Sequence, residues 1–210
     1  MQNEKLKTTI KNLKLLIATH NTGKLLEYEE IFKNIGLKIK LVSLKDLGVT
    51  QKLEETGNTF EENAIQKAKF YYNLAKMPTL ADDSGLEIDY LNGEPGIKSR
   101  RWPGYEASDE EMIQIALDKL TGVSREQRGA QLRAVVALIF PGDEKAHTFE
   151  GVLRGSIAEK PISERIAGYP FRSIFVPEHQ QKYLGELSLV AHRMQAIENA
   201  LPVLLKYFDN

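Results

Sequence analysis

Apolar positions along the chain fall into alternating strand-like and helix-like blocks. Leu13 to Thr19 is an apolar run closed by His20-Asn21-Thr22-Gly23, which predicts a buried strand and a turn. From Lys24 to Asn34 the apolar residues Leu25, Tyr28, Ile31, Phe32 and Ile35 recur at helical spacing, and Gly36 ends the pattern. Leu37 to Leu44 alternates as a strand. The order strand, glycine-bearing turn, helix, strand predicts an α/β arrangement. A second helix begins near Thr59, where Thr59 and Glu62 form a capping-box pattern. Its apolar face is Phe60, Ala64, Ala68, Tyr71 and Ala75, and Asn63 and Lys67 lie one turn apart on a neighbouring polar face. It leads into a short apolar strand, Met77 to Ala81, expected to end at Asp82-Asp83, with Ser84-Gly85 as a turn.

Ser108, with Glu111 three residues on, predicts the start of a helix over about Asp109 to Leu120. Gln131 to Phe140 and Ala146 to Leu153 read as a hairpin about Pro141-Gly142-Asp143-Glu144, and Ile174-Phe175-Val176 as a short buried strand. A last helix is expected after Ser188, running toward Tyr207, with Pro202 kinking or interrupting it.

The 210 residues fit a single domain spanning 1–210, long enough to bury a full core. With 42% hydrophobic and 27% charged residues the chain reads as a soluble globular protein. Its formal net charge of −1 gives no overall attraction to nucleic acid or to an anionic membrane, so neither is an expected partner. The absence of cysteine excludes disulfides, thiolate nucleophiles and cysteine-held zinc. Met1 to Lys14 lacks the apolar core of a signal peptide, and the longest clean apolar run, Ala134 to Phe140, is far shorter than a membrane span. A cytoplasmic location is the expectation.

Four segments carry candidate chemistry. Two adjacent carboxylates, Asp82 and Asp83, repel unless a cation neutralises them, and Mg²⁺ favours carboxylate and phosphate oxygens; an ordinary Asp-Ser-Gly turn is the alternative. Thr19-His20-Asn21-Thr22-Gly23-Lys24 follows a strand and opens a helix, where backbone N–H groups and the helix dipole favour an anion. It is not a Walker A loop, and taken alone it reads first as an N-capped turn with a surface lysine. Glu54-Glu55 followed by Lys67 is either a solvated acidic loop and a surface lysine or, if it faces the aspartates, a metal ligand and a phosphate-binding cation. His192-Arg193 suits a surface position, or phosphate pairing and base contact. Arg100, Arg101 and Trp102 read as a nucleotide patch or as an aromatic at the core edge.

Together these segments resemble the inosine triphosphate pyrophosphatase family, which hydrolyses non-standard purine nucleoside triphosphates. The carriers are Ile17 to Lys24, Glu54 to Ala64 through Lys67-Ala68, Ala81 to Leu86, Gly93 to Ile97 with Ser99-Arg100, Gly155 to Ala158, Ile174 to Pro177, and Ala191-His192-Arg193 with Ala196. The resemblance implies an α/β fold: a long, mixed, curved β-sheet flanked by helices, with two lobes and the active site in the cleft between them. It also implies a homodimer and Mg²⁺-dependent hydrolysis of nucleoside triphosphates, such as ITP, dITP or XTP, to monophosphate and pyrophosphate.

Carried over by position, Asp83 is the general base that activates water, with Asp82 beside it. Glu55 and Asp83 serve the metal. Lys67, Lys24 and the turn Thr19, His20, Asn21, Thr22 and Gly23 hold phosphates. Ser84 touches the substrate, and His192 and Arg193 hold the purine end. Such chemistry needs a positioned water, a carboxylate to take its proton, and cations around the phosphates.

The chain departs from the family at the base-reading segment. The usual Phe-Gly-Tyr/Trp-Asp-Pro becomes Tyr169-Pro170-Phe171-Arg172-Ser173, so Phe171 takes the aromatic place and Arg172 the aspartate's. An acceptor becomes a cationic donor. The usual lysine five residues before His192 is Leu187, and Ala191 replaces a serine. The expectation is a pyrophosphatase with altered base specificity; a paralogue that binds nucleotide with little hydrolysis is the alternative.

Overall fold

The computed structural model describes residues 13–187 and 191–208. The first strand, β1 (Lys14–Ile17), is followed by α1 (Thr22–Asn34) and β2 (Lys40–Ser43). Strands β1 and β2 pair in parallel, as a strand–helix–strand crossover requires. Helix α2 (Phe60–Ala75) then leads into β3 (Thr79–Ile88), which lies parallel to β1 on its other side. After α3 (Asp109–Lys119), β4 (Gly129–Ile139), β5 (His147–Ile157) and β6 (Phe175–Pro177) add in antiparallel fashion. The result is a curved mixed sheet in the order β2-β1-β3-β4-β5-β6, flanked by helices.

Local signals explain the helix boundaries. The Asn21 side chain accepts from the N–H groups of Gly23 and Lys24, so α1 starts at Thr22, two residues before the expected Lys24. Thr59 caps α2 through the Glu62 N–H, and Ser108 with Glu111 forms the expected capping box on α3. Helix α4 (Ala191–Phe208) continues through Pro202. The expected interruption does not occur, because the last turns are anchored in the core: Leu204 and Phe208 are buried, and Tyr207 stacks on Phe140 at 4.1 Å between centroids. The expected start after Ser188 lies outside the described residues.

The largest difference concerns β3. Asp82, Asp83, Ser84 and Gly85 are not a strand end and a turn; they form the middle of a ten-residue strand paired with β4 from Thr79 to Ile88. The strand that ends is the neighbour. Strand β1 pairs with β3 only as far as Ile17 with Leu80, and a last backbone bond runs from Ala18 to Leu80. Beyond that point β3 runs on with β4 alone. The aspartates therefore sit just past the carboxyl end of β1, where a crevice opens in a sheet of this kind.

Candidate active site

Side chains alternate along a strand, so adjacent residues point to opposite faces. Asp82 and Ser84 share one face. The Asp82 carboxylate accepts from Lys24 of α1 at 2.9 Å and from Arg193 of α4 at 3.3 Å, and Arg193 also donates to the Ser84 hydroxyl at 2.7 Å. Asp83 points the other way, to α2, where Lys67 Nζ lies 3.1 Å from Oδ1 and Asn63 Nδ2 lies 3.0 Å from Oδ2. Each aspartate thus has its own cation, and the expected repulsion between them is relieved by geometry before any metal is considered.

Both carboxylates open onto one cavity of about 530 Å³ at the uncovered side of β3. Thr19, His20, Asn21 and Lys24 line it, together with Glu54, Glu55, Lys67, Ser84, Tyr169, Phe171, Arg172, His192 and Arg193. Thr22 and Gly23 do not. The N–H groups of Gly23 and Lys24 are occupied by Asn21, so of the turn expected to hold phosphates only Thr19, His20, Asn21 and Lys24 reach the cavity. Gly23 has a different use: a Cβ there would lie 2.5 Å from the Tyr169 ring, so its absence lets Tyr169 pack against α1.

The acidic loop does face the aspartates. Glu55 Oε1 lies 3.1 Å from Lys67 Nζ, which therefore bridges Glu55 and Asp83. Among the described residues no group of three or more metal-ligating side chains forms a ready cage. A two-carboxylate set still suits Mg²⁺, which is commonly held by one or two carboxylates completed by substrate phosphates and water. Glu55 and Asp83, both lining the cavity, fit that requirement.

The two aspartates are held in opposite electrostatic states. Burial raises the Asp82 carboxyl, but Lys24 and Arg193 more than offset this and hold it far below the ordinary carboxylate range. For Asp83 burial wins: it raises the carboxyl against the pull of Lys67 and Lys24, and Glu55 adds to the rise. Lys67 is raised as well, since Asp83, Asp82 and Glu55 together outweigh its own burial. The two directions are compatible, because Lys67 faces three carboxylates while Asp83 has acidic neighbours of its own. Lys24 is lowered, chiefly by burial.

Arg193 is 2% exposed, and besides Asp82 it pairs with Glu27 of α1, whose Oε2 lies 2.7 Å from it. Glu27 Oε1 faces Arg172 at 3.1 Å, and the Arg172 guanidinium lies 5.1 Å from the centre of the Tyr169 ring. Arg172 thus lines the cavity as expected, but its charge is answered from within the protein. Sequence reasoning missed Glu27. The available signal was its place four residues before Ile31 on the apolar side of α1, where an ordinary surface glutamate does not belong. Buried His192 has Nε2 3.1 Å from an Arg193 nitrogen. Arginine only donates, so Nε2 accepts, the hydrogen sits on Nδ1, and Nδ1 has no partner among the described residues. Burial and the Arg193 charge push His192 well below its ordinary value and keep it neutral.

Trp102 follows the core-edge reading: it packs against the cluster around Met112, and its indole donates to Glu94 at 3.1 Å. Arg100 pairs with Asp109 at 2.6 Å, and the same carboxylate accepts from the Gly168 N–H, tying together two loops that line the cavity.

Comparison with known proteins gives a consistent picture. The profile of the Ham1 family matches residues 15–203. A dITP/XTP pyrophosphatase of Bacillus subtilis (strain 168) is 40% identical over 194 residues, covering 90% of this chain and 96% of the relative. One from Geobacter sulfurreducens is 40% identical over 189 residues, covering 88% and 92%. Among solved structures, the Staphylococcus aureus Ham1 protein superposes with a TM-score of 0.76 at 35% identity, covering 92% of this chain and 98% of that one. A HAM1 protein from Coxiella burnetii gives 0.77 at 37% identity, covering 92% and 99%.

Proposed function

The chain belongs to the Ham1 family, and from that membership and the geometry of the cavity we propose that it hydrolyses non-standard purine nucleoside triphosphates to monophosphate and pyrophosphate. The observation that carries the reading is the placement of Asp83: a buried carboxylate held by Asn63 and Lys67, beside Glu55, at the edge of a cavity lined by cations. A carboxylate so fixed at the cavity edge is in position to take a proton from water. Asp82, locked between Lys24 and Arg193, stays ionised and orients those two cations.

In this reading the triphosphate lies between Lys24 and Lys67, whose charges offset the negative charge that builds up during displacement at the α-phosphorus. The purine lies toward Tyr169, Phe171, His192 and Arg193. Glu55 and Asp83 would hold Mg²⁺, which would supply charge neutralisation at the phosphates. Asp83 accepts the water proton, and no covalent intermediate is needed.

The test is incubation with ITP, dITP, XTP and the ordinary triphosphates in the presence of Mg²⁺, with separate detection of pyrophosphate and orthophosphate. Turnover of the deaminated purines to pyrophosphate, abolished by chelation with the circular dichroism spectrum unchanged, is the expected result. Orthophosphate as the product, or nucleotide binding without turnover, would overturn the assignment.

A further inference from the structure

One stripe of α2 holds the acidic loop along its length. Asn63, Lys67 and Tyr71 stand four residues apart, so they share a side of the helix. Their partners run the opposite way along the loop. Asn63 accepts from the Gly57 N–H at 2.8 Å, and Lys67 lies 3.1 Å from Glu55. Tyr71 donates its hydroxyl to the Gln51 carbonyl at 3.1 Å. Burial raises that hydroxyl, which keeps it a donor, and the Leu53 backbone bonds it too. The Tyr71 ring packs in the core with Phe60 and Ala68, a task that a ring without the hydroxyl would fill as well.

His20 closes the junction from the turn between β1 and α1. Its Nε2 lies 3.0 Å from the Gln51 carbonyl and 3.1 Å from the Tyr71 hydroxyl, and the two rings meet edge-on at 5.9 Å between centroids. A carbonyl only accepts, so Nε2 carries the hydrogen, and the two lone pairs of the carbonyl take both donors. Residues 51–57 form neither helix nor strand, so their course depends on such tethers. After Glu55 the tethers are local: the Thr56 N–H donates to Gln66, the Gly57 N–H to Asn63 and the Asn58 N–H to Glu62. Before Glu55 the backbone is held by Tyr71 and His20, which come from distant parts of the chain.

Resting on the pyrophosphatase reading, we propose that Tyr71 and His20 are positioning residues for the divalent cation, which clamp Gln51 and so hold Glu55 beside Asp83. With the clamp open, the segment before Glu55 is free to move. Glu55 must then be ordered when the cation arrives, and that lost entropy weakens binding.

The experiment titrates the full chain with Mn²⁺, which suits the same oxygen ligands as Mg²⁺, and follows the loss of the free ion's paramagnetic resonance signal. It is run with and without a non-hydrolysable inosine triphosphate analogue. Tyr71→Phe keeps the ring and removes only the hydroxyl. His20→Ala opens the clamp from its exposed side and leaves the core untouched. Each is expected to weaken Mn²⁺ binding about tenfold, as loss of a partner that orients a metal ligand does. Because both break one junction, the double variant should bind no more weakly than the weaker single. His20→Gln should recover most of the affinity, since its amide reaches the same carbonyl. Hydrogen exchange of the chain without metal or nucleotide reads the cause: the amides of residues 52–57 should exchange about tenfold faster in both single variants.

Unchanged Mn²⁺ affinity in Tyr71→Phe, weaker binding without faster exchange over 52–57, or no Mn²⁺ binding by the wild type in either condition overturns the proposal. Additive losses in the double variant, or no recovery in His20→Gln, overturn the shared clamp. Neither readout involves turnover, so the clamp and the reaction fail separately. Pyrophosphate release with unchanged Mn²⁺ affinity in Tyr71→Phe removes the clamp alone. Weaker Mn²⁺ binding in that variant of a chain that cleaves no triphosphate removes the reaction alone.

Discussion

Replacing Asp83 by asparagine removes the proposed base while keeping the shape of the side chain, and the surrounding hydrogen bonds let two consequences be separated. Lys67 donates to Oδ1, and Asn63 donates to Oδ2. Asn63 cannot turn round, because its own carbonyl accepts from the Gly57 N–H at 2.8 Å. In Asp83→Asn the new side chain offers one acceptor to two donors, so its amide must face either Lys67 or Asn63. One buried donor is left against another, at a cost of about 1–3 kcal/mol. Relief from burying a raised carboxylate offsets part of this. The net loss should be about 1 kcal/mol, roughly 2–4 °C in melting temperature for a chain of this size. Turnover should fall about 10²- to 10⁴-fold, the usual contribution of a positioned base, or about 3–5 kcal/mol of barrier.

Combining Asp83→Asn with Asn63→Asp, so that the two side chains trade places, separates the effects. The carboxylate introduced on α2 would accept from both the Gly57 N–H and the new amide on β3, and the oxygen of that amide would stay on Lys67. Stability should recover while turnover stays at least about a hundredfold down. Urea unfolding and a pyrophosphate-release assay on the wild type, the single variant and the exchange decide it. Turnover in Asp83→Asn within tenfold of wild type would refute the base assignment, and an exchange that failed to recover stability would refute the hydrogen-bond account.

Two further changes test the frame around the site. An acid whose folded value lies below its ordinary one adds stability that is complete above that ordinary value and drains away as pH falls toward the folded one. Asp82, ordinarily 3.8 and held far lower here, should therefore give the wild type a loss of stability below about pH 4 that Asp82→Asn lacks. At neutral pH the variant should be about 3–5 kcal/mol less stable, since Lys24 and Arg193 lose their shared partner; parallel pH–stability curves would count against this. Gly151→Ala places a Cβ against the His192 carbonyl oxygen and 2.7 Å from the Ala196 nitrogen, so α4 must move off β5. The expected cost is about 2 kcal/mol with a raised KM for triphosphate, measured by urea unfolding and steady-state kinetics; wild-type values for both would show that α4 does not depend on this contact.

What the sequence concealed is instructive at particular residues. Apolar periodicity and capping pairs were enough for α2 and α3, because those signals are local: Thr59 with Glu62, and Ser108 with Glu111, act within one turn. Asp82-Asp83-Ser84-Gly85 read as a strand end and a turn because Asp and Gly are poor in strands and Asp-Ser-Gly is common turn chemistry. They are strand because β4 pairs with every one of them and because cations from three helices meet their charges, all supplied from distant parts of the chain. Pro202 failed to end α4 for the same kind of reason, since tertiary packing outweighed the loss of one backbone bond. Arg172 was legible as a departure, but its partner Glu27 was not, because only the fold brings α1 beneath that loop.

The strand placement also changes what an aspartate pair means. If both carboxylates faced one way, a single cation would have to satisfy both, and their proton affinities would move together. Alternation along β3 places Asp82 against Lys24 and Arg193, and Asp83 against Lys67, Asn63 and Glu55. One is driven down and the other up. Two acids pushed apart in this way can take different tasks at one site, a permanently charged anchor beside a proton acceptor. The early end of β1 then matters as much as the acids themselves. Only where β3 continues without it can residues on opposite faces of one strand open onto the same cavity.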